Sequence, residues 1–145
     1  NFVYAIVEDS KGRMWFGTDE GVSIFDGKVF KNITTENGLV DNTALALLDD
    51  KSGNIWIGTP AGVSVLTTNH TTIPKDSFKI TNYTKNEGLS NSYVNTIVKD
   101  VNQNIWFGTW GGGINLLLWK TVRVIFGLVD IAVELLCLVV RSLPI

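Results

Sequence analysis

The sequence predicts an all-β fold built from about three repeated four-stranded antiparallel units, and three observations carry that prediction. A ten-residue phrase occurs three times: Asp9-Ser10-Lys11-Gly12-Arg13-Met14-Trp15-Phe16-Gly17-Thr18, Asp50-Lys51-Ser52-Gly53-Asn54-Ile55-Trp56-Ile57-Gly58-Thr59 and Asp100-Val101-Asn102-Gln103-Asn104-Ile105-Trp106-Phe107-Gly108-Thr109. Its tryptophans recur after 41 and then 50 residues, the period of stacked units that bury their apolar faces only against one another. Between the phrases, short runs of β-formers alternate with turn residues, and residues 1–115 show no helical periodicity, so no helix is expected there.

Within the first unit, residues 2–8 alternate as a half-buried strand does, and Asp9 to Gly12 form a turn in which Asp bonds forward to backbone and Gly accepts positive φ. Strands follow at residues 13–18, 22–25 and 28–33; the last two are joined by Asp26-Gly27, a type I′ hairpin signal. The later units place strands near residues 43–49, 54–59, 62–66, 78–84, 93–99 and 104–109. Residues 34–42 cross from one unit to the next, and their Gly38-Leu39 with Asn42 returns as Gly88-Leu89 with Asn91. A polar insertion at residues 67–77, with Pro74, replaces the short turn in the second unit and reads as an exposed hairpin loop. Four antiparallel strands recurring at this period are the blades of a β-propeller. The blades span residues 1–118, divided near 1–36, 37–86 and 87–118.

These motifs resemble the two-component regulator propeller repeat, whose blade reads Asp-x-x-Gly-x-Leu/Ile-Trp-x-Gly-Thr, then x-x-Gly-Val/Leu, then a Gly-Leu-x-x-Asn crossing. The matching residues are Asp9, Gly12, Trp15, Gly17, Thr18 and Gly21; Asp50, Gly53, Trp56, Gly58, Thr59 and Gly62; and Asp100, Trp106, Gly108, Thr109 and Gly113. The pattern departs at Gln103, where a turn Gly is expected. The resemblance implies the extracytoplasmic, periplasmic-side sensor half of a membrane-bound bacterial histidine kinase, often a hybrid one that responds to oligosaccharides. It also implies further blades and a kinase part in the parent chain.

Composition narrows the function classes. Charged residues make up 18% of the chain and the net charge is −2, with no basic cluster to serve nucleic acid. A lone Cys137 excludes an internal disulfide, and a lone His70 argues against a histidine-rich metal site or a Ser-His-Asp triad. No cofactor is expected. The chain opens at Asn1, one strand into a repeat, and reads as part of a longer protein.

Trp15, Trp56 and Trp106 occur once per unit at one place, so packing between blades explains them better than sugar stacking does. Asp9, Asp50 and Asp100 head tight turns and read as turn formers rather than a metal or catalytic ring. Gly17, Gly58 and Gly108 read as points of close approach between blades. Binding is better sought where repeats differ on one face, at the mouth made by the second-to-third-strand loops and the crossings. The candidates there are Asp19, Glu20, Asp41, Asn42, Asn91 and Trp110. Trp110 is an extra aromatic in the glycine-rich loop Trp110-Gly111-Gly112, and an aromatic among Asn and Asp side chains suits a sugar ring. Packing of Trp110 on a neighbouring blade is the competing reading.

Residues 119–145 form an apolar tail outside any clear blade. With Asp130 and Glu134 four apart in residues 124–140, a surface helix fits it better than a membrane span. A fourth blade that loses its pattern after Gly127-Leu128-Val129-Asp130 fits too, as does a shifted reading frame. The function that follows is a ligand-sensing module, not an enzyme, for a small-molecule or oligosaccharide ligand. A propeller lyase or glycosidase and a protein-interaction scaffold are the alternatives. Open sheet faces and edges also predict self-association.

Overall fold

The computed structural model describes residues 1–67, 78–117, 122–126, 129–133 and 140–143. Among these residues the chain forms three four-stranded antiparallel sheets and one two-stranded pair. The first sheet runs β1 (Val3–Glu8), β2 (Met14–Thr18), β3 (Gly21–Phe25) and β4 (Phe30–Ile33) in that order, and the second runs β5 (Ala46–Asp49), β6 (Asn54–Thr59), β7 (Gly62–Thr67) and β8 (Lys79–Tyr83). The third contains β9 (Val94–Lys99), β10 (Ile105–Thr109) and β11 (Gly113–Leu117). The first strands of the three sheets approach one another, as blades do around a common axis.

Two apolar clusters hold the sheets together. Trp15, Val22, Ile24 and Ile33 of the first sheet pack with Ile55, Ile57 and Leu66 of the second. Trp56, Val63 and Val65 of the second pack with Ile97, Ile105 and Phe107 of the third. Trp15 and Trp56 are fully buried, whereas Trp106 of the third sheet is half-buried.

The expectation of no helix in residues 1–115 is corrected at the crossings. Each contains one turn of 3₁₀ helix, Thr35–Asn37 and Lys85–Glu87. Thr34 and Thr84 cap them: each hydroxyl accepts an N–H two residues on, and Asn37 or Glu87 bonds back to the cap N–H. Gly38 and Gly88 close them at φ 110° and 105°. The following Leu39 and Leu89 drop into the two inter-sheet clusters, so each crossing is pinned by one leucine.

Asp26-Gly27 is not a type I′ turn: Phe25 pairs with Phe30 across a four-residue loop in which Gly27 has positive φ and Asp26 does not. The Asp26 carboxylate instead accepts the N–H groups of Lys28 and Val29 at 2.8 and 2.9 Å. The insertion at residues 68–77, which includes His70 and Pro74, lies outside the described residues. So do Cys137 and Glu134.

The described parts of the tail are strands, correcting the expected helix. β12 (Val122–Phe126) and β13 (Val129–Val133) pair with each other, and β14 (Val140–Leu143) pairs with β11 as the outer strand of the third sheet. The run is dense in Val and Ile, whose branched Cβ favours the pleated chain over the helix.

Candidate functional site

The repeated phrase builds one polar knot per sheet. In the first, Asp9 Oδ1 accepts the N–H groups of Lys11 and Arg13 at 2.9 and 3.0 Å, while Oδ2 accepts the indole N–H of Trp15 at 2.9 Å. Asp50 does the same for Ser52, Asn54 and Trp56, and Asp100 for Asn102, Asn104 and Trp106, whose indole lies at 2.8 Å. A further donor four residues beyond the aspartate, Arg13, Asn54 or Asn104, completes Oδ2. The aspartate thus does more than shape its turn: it satisfies the one polar atom of a tryptophan that is otherwise apolar cargo. Asp-x₅-Trp spacing was the available signal. Burial pushes the Asp9 carboxyl up, but bonds from Arg13 and Trp15 outweigh it and hold the group below its ordinary value. The Trp106 indole, then the Asn104 amide, hold Asp100 down likewise.

At Gly17 a Cβ would stand 2.6 Å from the carbonyl oxygen of Ala44, and at Gly58 a Cβ would stand 2.8 Å from that of Val94. Each glycine therefore makes room for the inner strand of the following sheet. Thr18, Thr59 and Thr109 donate their hydroxyls to the carbonyls of Gly21, Gly62 and Gly113, closing the turn after the second strand.

Strand register sets which loops share an end. Thr18 pairs with both Val3 and Gly21, and Val22 pairs with Ile33, so the second-to-third-strand turn, the start of the inner strand and the crossing lie together. The Asp turns occupy the opposite end. There a cleft of about 60 Å³ is lined by Asp9, Ser10, Lys11, Arg13, Asp49, Lys51 and Gly53. It is small, and its carboxylate oxygens are taken by this chain's own donors, including Ser10 and Lys51 on Asp49.

At the crossing end, Asp19 Oδ1 accepts the N–H of Phe2 at 2.9 Å, and Glu20 is exposed beside it. Asp41 and Asn91 form the same turn, each accepting the N–H two residues on, Thr43 at 2.7 Å and Tyr93 at 3.1 Å. The crossings therefore match Asp41 with Asn91, which corrects the pairing of Asn42 with Asn91. Counting from the shared glycine places Asn42 one residue further on, where its Oδ1 accepts the N–H of Thr35 at 2.7 Å.

Of the six candidates, the structure joins Asn91 to Trp110, by a 2.9 Å bond from Nδ2 to the Trp110 carbonyl. No side-chain hydrogen bond links that pair to Asp19, Glu20, Asp41 or Asn42 among the described residues. Trp110 is 72% exposed, so it is not packed on a neighbouring sheet here. Tyr93 lies 6.1 Å from its ring at 59° and is itself exposed. Tyr93 escaped the sequence reading because it was counted as the first residue of a strand; β9 begins at Val94. Ser90 Oγ donates to Gly112 O at 2.6 Å, so the loop carrying Trp110 is tied to the crossing at two points. Among the described residues no cluster of His, Cys, Asp and Glu is arranged to hold a metal ion, and no helix is long and apolar enough to cross a membrane.

The model of the family described as "Two component regulator propeller" matches residues 1–20, 38–61 and 88–111. Solved structures give the same answer for the fold. A chain described as the extracellular domain of the hybrid two component system BT3049 from B. thetaiotaomicron is 29% identical, with a TM-score of 0.67 over 81% of this chain and 16% of its own. The corresponding domain of BT4673 from B. thetaiotaomicron is 24% identical, with a TM-score of 0.66 over 81% of this chain and 17% of its own. The chain thus spans 16–17% of the length of these relatives. No curated protein matches it.

Proposed function

Because the chain belongs to the two-component regulator propeller family, we propose that it is a ligand-sensing part of the extracytoplasmic region of a sensor histidine kinase. Its ligand is a sugar ring of an oligosaccharide, taken at the crossing end. The further blades and the kinase that it serves belong to the same parent chain.

The observation that carries this reading is Trp110. A large aromatic ring left mostly in water costs solvation; here Asn91 bonds the backbone carbonyl of the residue that carries it, and Tyr93 flanks the ring. The apolar C–H face of a pyranose stacks on such a ring, while its hydroxyls bond to acceptors. Glu20, which is exposed, and the unused lone pairs of Asp19 and Asp41 supply those at the same end. The reading assigns this chain binding and no chemistry.

Glycan-array screening followed by titration calorimetry tests it. A bound oligosaccharide is expected to lose at least about tenfold in affinity with Trp110→Ala, the loss of about 1.4 kcal/mol of stacking. Circular dichroism should stay unchanged. Failure of any glycan to bind, or binding indifferent to Trp110→Ala, would overturn the assignment.

A further inference from the structure

We propose that the crossing-end site takes two consecutive sugar rings of its oligosaccharide, with Tyr93 supplying the second contact face beside Trp110. The inference rests on the sugar-binding reading above and adds to it a second binding residue and a smallest ligand of two linked units.

Among the described residues, the third sheet alone carries aromatic residues at both of the places concerned. The Trp110 N–H donates to the Tyr93 carbonyl at 2.9 Å, as the Asp19 N–H does to the Phe2 carbonyl at 3.3 Å in the first sheet. The matching pair is therefore Phe2 with Asp19 in the first sheet, and Thr43 with Pro60 in the second. The threonine-to-glycine turn that holds Trp110 is also one residue longer, Thr109 to Gly113 against Thr18 to Gly21 and Thr59 to Gly62. A following sheet does not close this place: one follows Asp19 and another follows Pro60, yet neither residue is buried.

The backbones of the two residues are locked together before any ligand arrives. Asn91 bridges them, Oδ1 accepting the Tyr93 N–H at 3.1 Å and Nδ2 donating to the Trp110 carbonyl at 2.9 Å. Beneath it, the fully buried Asn115 accepts the Ser90 N–H at 2.9 Å and donates to Ser90 Oγ at 2.8 Å, and that hydroxyl donates to the Gly112 carbonyl. A Cβ at Gly112 would stand 2.5 Å from Asn91 Cβ, so the loop lies directly on the crossing. A frame ordered in advance lowers the cost of binding.

Ring geometry then sets the ligand. Trp110 is 72% exposed and Tyr93 38%, with centroids 6.1 Å apart and planes at 59°. A sugar ring held between two aromatic faces needs about 3.5–4.0 Å on each side, more than this separation leaves. The rings touch one another and offer adjoining surfaces rather than a slot. One pyranose covers one such surface, so a ligand that covers both has two rings turned relative to each other about their linkage.

A glycan array probed with the full 145-residue chain selects the glycan, and NMR titration with its one-unit and two-unit fragments tests the proposal. The two-unit fragment should bind the wild type at least about tenfold more tightly, about 1.4 kcal/mol for the second stack. Tyr93→Ala should erase that difference and leave one-unit binding as it was, whereas Tyr93→Phe keeps the ring and should retain it. Saturation of aromatic protons should reach both sugar rings in the wild type and one in Tyr93→Ala. Circular dichroism should be unaltered, because Tyr93 enters the frame through its backbone. Equal affinities of the two fragments for the wild type, or a two-unit affinity indifferent to Tyr93→Ala, would overturn this inference while Trp110→Ala still abolished binding. An equal loss for both fragments in Tyr93→Ala would make Tyr93 a support for Trp110 and overturn it too. A chain that binds no glycan, or binds one regardless of Trp110→Ala, would instead overturn the sugar reading itself, and this inference with it.

Discussion

The indole N–H of Trp56 donates to Oδ2 of Asp50 at 3.1 Å inside a core where Trp56 is 1% exposed. That carboxylate also accepts two main-chain N–H groups and the Asn54 amide, so one side chain both shapes a turn and satisfies the polar atom of the largest buried residue. Tyr83 stacks on the same indole at 6.3 Å and Phe107 of the next sheet meets it at 5.9 Å. Trp56→Ala should therefore cost about 3–5 kcal/mol, as for emptying a large core site. In a double-mutant cycle, Trp56→Phe and Asp50→Asn should couple by about 1.5–3 kcal/mol, the value of a bond to a charged acceptor. Additive losses in urea unfolding would refute the coupling.

Trp106 makes the same bond to Asp100 but lies half in solvent. Less apolar area leaves water when it folds, so Trp106→Ala should cost roughly 1–3 kcal/mol, less than Trp56→Ala. Equal losses for the two alanines, measured at protein concentrations too low for association, would contradict the difference in burial.

The repeats, the four-strand units, the Asp turns and the inter-sheet role of the tryptophans were legible because each depends on local pattern repeated in register. The crossings were legible only in part. Gly38-Leu39 and Gly88-Leu89 stood out, yet the Thr34–Asn37 and Thr84–Glu87 capping boxes went unread, because a single 3₁₀ turn has too few residues to show a period. Of the readings left open for the tail, the helix does not hold over the described residues, since a continuous apolar run fits a buried strand as well as a helix. At the candidate site, Trp110 stood out as a residue outside the pattern. Its companion Tyr93 did not, because one residue of strand boundary decides whether a side chain lies in a sheet or at its mouth.

Gln103 occupies the place of Gly12 and Gly53 in the Asp turn and takes φ 67°, where those glycines take 75° and 97°. A side chain in the left-handed region costs about 1–2 kcal/mol, partly offset by the lower chain entropy of a non-glycine residue when unfolded. The Gln103 amide also accepts a bond from the Lys99 ammonium at 2.9 Å, an exposed contact of small value. Gln103→Gly should on balance stabilise the chain by about 0.5–1 kcal/mol. A lower melting temperature for that variant would show that the side chain, not the backbone, dominates the turn.

Acid should loosen the Asp knots. Asp9, Asp49 and Asp100 all have carboxyls held below the ordinary value in the folded chain: Asp9 by Arg13 and Trp15 against its burial, Asp49 by Lys51 against its burial, and Asp100 by Trp106 and Asn104. A depressed folded pKa means that the unfolded chain takes up protons first. The stabilisation is therefore complete above the unfolded value, about 3.9, and is lost as pH falls through the lower folded values. Urea midpoints should be flat from neutral pH down to about 5 and then decline steeply below about 4. Asp9→Asn should flatten part of that decline while lowering stability at neutral pH, and an unchanged slope would remove Asp9 from the groups responsible.

Gly58 and Gly108 occupy the same place in successive phrases but face different surroundings. A Cβ at Gly58 would stand 2.8 Å from the Val94 carbonyl and 3.1 Å from a Val94 methyl, in a strand with no freedom to retreat because Ile57 and Thr59 on either side of it are buried. Gly58→Ala must push the second and third sheets apart, at about 1–3 kcal/mol or more for overpacking. At Gly108 the nearest neighbour is Thr96 Cβ at 3.3 Å, within the same sheet and toward solvent, so Gly108→Ala in the dilute monomer should change stability by less than about 0.5 kcal/mol. The two substitutions are chemically identical, so the contrast reads the stacking of sheets directly. Similar losses at both positions would mean that strand geometry, rather than the following sheet, requires the glycine.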